Sequence, residues 1–236
     1  TTTNDYPPLE SISQTIYQLC IHEETTKINF AIESLKFLRQ RYQNDTTLLP
    51  VFQYRTQQRV VMWTGRLLGG IYFNKHYFDF AIKEYELAKQ MTEETLKDPV
   101  VLKNISESTK GNLKIDLEYK SPLFIGKCQF ELNKYKEALD NFMKVQEFVK
   151  SHGASFSTTK PAGSLSEFGA YVELPIYLAK CHDKLGNSQK AINLVNEASN
   201  YLNRKDVMKD RDEYPDLMER IVKVKTQDIP TLLNEL

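Results

Sequence analysis

The chain is poor in the residues that most chemistries require. Its three cysteines, Cys20, Cys128 and Cys181, stand far apart in 236 residues, and no CxxC pair exists. That spacing excludes a zinc-finger pattern. Three unpaired thiols fit a reducing compartment, so a cytoplasmic or nuclear location is expected. The four histidines, His22, His76, His152 and His182, have no partner at ligand spacing, so no metal is expected. Neither sign of charge is in excess, with 31 Lys and Arg against 31 Asp and Glu. A basic surplus, the usual mark of bulk nucleic-acid binding, is therefore missing. No apolar run approaches the roughly 18 residues of a membrane span. The opening TTTNDYPPLE has neither a charged start nor an apolar stretch, so no secretory leader is expected.

Catalytic arrangements are equally scarce. There is no Walker loop, and the pair Gly69-Gly70 follows a helical stripe rather than a strand, which excludes a dinucleotide fingerprint. Cys181 and His182 are adjacent, but neighbours on a helix point about 100° apart and do not form a nucleophile–base pair. Asp206, Asp210 and Asp212 lack the glycine and terminal glutamate of a calcium loop. No enzyme activity, cofactor or small-molecule substrate is expected.

What the chain does have is helical periodicity. Between Trp63 and Ala88, Leu68, Gly69 and Tyr72 form one stripe, and Ala81, Tyr85 and Ala88 form another at spacings of four and three. Two amphipathic helices packed as a hairpin would give this pattern, with small residues where they approach closely. The register returns at Ile125, Gly126, Phe130, Tyr135, Ala138, Phe142 and Val145. It returns again at Leu178, Ala179, Ala191, Val195 and Ala198, with Gly186 ending one helix and Asn187-Ser188 starting the next. A weaker pair carries Ile12, Ile16, Leu19 and Cys20, then Ile28, Ala31, Ile32, Leu35 and Leu38. Hairpins are predicted over about 9–42, 51–97, 113–150 and 165–202, with a capping helix at 214–225 and a loose arm at 1–8. Residues 98–112 read as an insertion with one helical turn, and 151–169 as a mobile loop.

The order L-G-x2-Y then A-x3-Y-x2-A resembles a tetratricopeptide repeat. The anchor alanines 31, 81, 138 and 191 are 50, 57 and 53 residues apart, against about 34 in regular arrays of that family. The resemblance implies an all-α fold: antiparallel hairpins stacked as one irregular right-handed solenoid. It also implies a concave face built from the first helix of each hairpin. The family's groove places fall on Trp63, Arg66, Gly70, Phe73 and Asn74, then Lys120, Leu123, Lys127, Phe130 and Glu131. In the third copy they fall on Glu173, Ile176, Lys180, Asp183 and Lys184. The partner-binding residues expected from this set are Trp63, Arg66, Phe73, Asn74, Lys120, Lys127, Lys180 and Lys184.

Cations outnumber acids there, and aromatics accompany them. That combination would hold an acidic segment of another protein, or dock a helical subunit. The carboxylate clamp that some relatives use for chaperone tails wants asparagine where Gly70 stands, so that ligand is disfavoured. The expectation is a non-catalytic scaffold or adaptor within a multiprotein assembly. The alternative is an RNA-binding helical repeat, against which the irregular periods and zero net charge speak.

Overall fold

A computed structural model describes residues 25–43, 50–152, 169–203 and 223–235. The expected arm at 1–8, the first helix before Thr25, most of the 151–169 loop and residues 204–222 lie outside these. Every regular element among the described residues is a helix, and neighbouring helices pack on one another. The chain divides into two compact units, residues 1–128 and 129–236.

The first unit opens with α1 (Thr25–Gln43), α2 (Pro50–Asn74) and α3 (Phe78–Lys97). Helices α2 and α3 fall on the stretch read as a hairpin over about 51–97. Three contacts fix the sense of the α2–α3 pair. Tyr72 meets Phe80 with ring centroids 5.5 Å apart, the backbone at Gly69 faces the Tyr85 ring, and that at Gly65 faces Ala88. Positions fall along one helix as they rise along the other, so the two run antiparallel. Leu68 and Ala81 are both fully buried at this contact. Ile28, Ala31 and Leu35 of α1 complete the same core, together with Ile125 and Cys128 of α6 (Ser121–Glu131). Arg39 ties the three helices together at one edge. Its Nη2 is 2.6 Å from Glu84 Oε2, and its Nε donates to Thr64 Oγ1 at 2.9 Å.

The stretch 98–112 corrects the sequence reading. It holds α4 (Pro99–Asn104) and most of α5 (Glu107–Ile115) rather than a single turn. Both starts are capped. The Asp98 carboxylate accepts from the amides of Val100 and Val101 at 2.7 and 3.2 Å, with Pro99 in the first turn where its missing N–H costs nothing. Ser106 Oγ accepts from the amide of Thr109 at 3.1 Å. Val101, Ile105 and Leu113 then bury against Met62. Gly111 sits inside α5, where an added Cβ would meet nothing within 4 Å. Gly111→Ala is therefore expected to stabilise the protein by about 0.5–1 kcal/mol, read from the midpoint of a urea melt.

The second unit contains α7 (Tyr135–His152), α8 (Leu174–Lys184), α9 (Ser188–Leu202) and α10 (Ile229–Glu235). Helix α8 packs against both α7 and α9, and α10 packs on α9. Ala138, Phe142 and Val145 are buried on α7, and Ala191, Val195 and Ala198 on α9. Tyr177 of α8 lies 5.3 Å from the Phe142 ring and 5.9 Å from that of Phe130. Val224, Ile229 and Leu232 are buried near the end of the described chain, whose last helix runs to Glu235.

One turn occurs three times. His76, Asn133 and Gly186 each take a left-handed backbone, with φ of 61°, 59° and 79°. In each case the next amide reaches back five residues: Tyr77 to the Tyr72 carbonyl, Lys134 to Gln129, and Asn187 to His182, at 2.9, 2.9 and 2.8 Å. This closes the helix C-terminus by satisfying carbonyls that the last turn leaves free. The buried anchor alanine follows five positions later every time, at Ala81, Ala138 and Ala191.

A second device also occurs three times among the described residues. Asp116–Lys120, Gly169–Glu173 and Val224–Asp228 are π-helical turns, each followed by one residue and a proline: Pro122, Pro175 and Pro230. A proline has no N–H to give and its ring pushes away the carbonyl four residues back. The helix widens there instead of breaking, and the amides of Ser121 and Ile229 bond five residues back, to Asp116 and Val224.

Candidate functional site

The first unit carries a cleft of 430 Å³ between α2 and the start of α6, with α3 as its floor. From α2 come Trp63, Arg66, Leu67, Gly70, Phe73 and Asn74, which recur at helical spacing along one face. Opposite stand Lys120, Ser121, Phe124 and Lys127. Tyr85 and Ala88 close the bottom. The floor is shallow because Gly69 lets the Tyr85 ring lie against α2, where even a methyl group would come within 2.6 Å of it. Tyr85 stacks in turn on Phe124, with centroids 5.3 Å apart and planes 15° from parallel.

The charges are arranged around one buried acid. Asp116 is only 6% exposed, at the head of the first π-helical turn. Arg66 Nη1 lies 2.7 Å from its Oδ2, and Lys120 Nζ lies 2.9 Å from its Oδ1. Arg66 Nη2 also reaches Thr92 Oγ1 at 3.5 Å. Lys127 Nζ sits 5.9 Å from the centre of the Phe124 ring, within reach of a cation–π attraction. Three cations and four aromatic side chains thus line the cleft, with Asp116 buried behind two of the cations.

Six of the eight residues expected to bind a partner line this cleft: Trp63, Arg66, Phe73, Asn74, Lys120 and Lys127. The other two stand in the second unit. Lys180 Nζ is 5.9 Å from the Tyr177 ring centre, and Lys184 pairs with Asp183 at 3.3 Å. Leu123 is buried rather than turned to the cleft, and Phe124 takes that role on α6. Asp116 escaped the sequence reading, although its place four residues before Lys120 is the spacing of a helical ion pair.

Cys181 and His182 occupy packing positions. They follow the hairpin register of Ile71-Tyr72, and both are buried. Burial pushes the Cys181 thiol up to about 12, so it carries no thiolate near neutrality. Burial also lowers the His182 pKa, with a smaller push from Lys190. The folded protein therefore favours neutral His182, and the unfolded chain binds the extra proton as pH falls through about 6.5. Stability is expected to decline below that pH through this group. Thermal melts at pH 7.5 and 5.5 should differ less for His182→Gln than for the wild type.

Among the described residues, no three His, Cys, Asp or Glu side chains stand where they could hold a metal ion. No helix among them is long and apolar enough to cross a membrane. The chain matches no protein-family model, and none of the curated proteins compared with it is similar.

Proposed function

We propose that the chain is a non-catalytic, protein-recognising module, a scaffold or adaptor built from tetratricopeptide-like hairpins stacked as an irregular right-handed solenoid. The threefold turn with its anchor alanine supports the repeat reading. The cleft of the first unit carries the binding proposal: it gathers cations and aromatics from helices 50 residues apart in sequence on one concave surface. The cations would supply charge-assisted bonds to an acidic segment, and the aromatics the buried area. The partner is a protein segment of a larger assembly.

Charge reversal tests this. A tagged full chain, purified from its native cell, should bring down a partner whose recovery falls at least tenfold with Lys127→Glu. Lys136→Glu, an exposed charge outside the cleft, should leave recovery unchanged. Equal recovery with both variants would mean that the partner docks elsewhere, through the long helices. Lys180→Glu makes the same test in the second unit.

A further inference from the structure

We propose that Asp116 is a built-in counter-ion, buried behind the cleft against Arg66 and Lys120, that tunes which segment enters. The segment is a peptide with a carboxylate beside an aromatic or large apolar side chain. This rests on the protein-recognition reading above.

The two ends of the cleft differ in chemistry. Arg66 is deep, with 27% of its side chain exposed, and is already held by Asp116 and Thr92. Lys120 touches the same acid but keeps 53% of its side chain exposed, at the rim. An incoming carboxylate thus meets Lys120 before Arg66, and shares it with Asp116. Beside them Phe124 is 37% exposed and fixed by its stack on Tyr85. Gly70 opposite has no side chain, which leaves room for a ring or a branched apolar group.

Asp116 is more than nine-tenths buried, so its charge acts through poorly screened surroundings. Its one negative charge is set against both Arg66 and Lys120 before any partner arrives. Without it a peptide of several acids would gain; with it the cleft favours one acid next to one apolar group.

The probe is a fluorescein-labelled eight-residue peptide of alternating glutamate and phenylalanine, titrated with the full chain and followed by anisotropy. Alternating lysine and phenylalanine, and glutamate and glycine, serve as controls. The glutamate–phenylalanine peptide should bind best, and Lys127→Glu should weaken it at least tenfold. Asp116→Asn keeps the shape and removes the charge, and should tighten it three- to tenfold. Asp116→Glu carries the carboxylate one methylene further toward Arg66 and Lys120 and should weaken it at least threefold, which decides the matter if the asparagine variant does not fold. Unchanged or weaker binding by folded Asp116→Asn, or no weakening by Asp116→Glu, would overturn the counter-ion role while Lys127 dependence kept the cleft reading alive. Binding indifferent to Lys127 would take down the cleft reading itself.

Discussion

Phe142→Ala is expected to cost about 3–5 kcal/mol, the largest loss of any single truncation proposed here. The ring has no exposed surface and lies 5.3 Å from Tyr177 of the next first helix. Removing it leaves a void between α7 and α8, where the packed neighbours have little freedom to collapse. A chain of this size should lose roughly 2–4 °C of melting temperature per kcal/mol. The urea midpoint should fall with little change in slope. Met143, the next residue, is 48% exposed, and Met143→Ala should stay within about 0.5 kcal/mol of the wild type. Equal losses at the two sites would show that the buried face of α7 has been assigned wrongly.

Gly65→Leu is the second large effect. A Cβ at Gly65 would come within 2.9 Å of the Glu84 backbone carbonyl and 3.0 Å of the Ala88 methyl group. A carbonyl inside a helix cannot swing aside as a side-chain tip can, so α2 and α3 must separate. Overpacking of this kind costs about 1–3 kcal/mol, which exceeds the gain of about 1 kcal/mol from replacing a helical glycine. Gly111→Ala provides the contrast, since it collects the same helical gain with nothing in the way. If both glycine replacements stabilise, the close approach of α2 and α3 at Gly65 is wrong.

The hairpins were legible because their contact points are small residues in a fixed order. Ala81, Ala138 and Ala191 announce a close approach in sequence, and all three are fully buried. Gly65 went unread because it precedes the pattern that starts at Leu68, although a Cβ there would come within 2.9 Å of a backbone carbonyl. The helices at 99–104 and 107–115 were hidden by a polar composition, even though Asp98-Pro99 and Ser106 are strong helix starts. The π-helical turns carry no composition signal beyond the proline that follows them. The cleft was half legible. Its α2 wall follows the expected places, whereas on α6 the flank toward α2 carries Phe124 and not Leu123.

The proline that follows each widened turn also measures distance. Pro122 precedes Ala138, and Pro175 precedes Ala191, by the same sixteen positions that separate Gly65 from Ala81. The unequal alanine periods of 57 and 53 therefore arise wholly between these cassettes, from Ala81 to Pro122 and from Ala138 to Pro175. Extra residues in those spacers leave the separation of proline and alanine within each cassette unchanged. A single insertion inside a cassette would turn the alanine through about 100° and aim it at water. Tolerance to insertions and deletions should accordingly be lowest inside the cassettes.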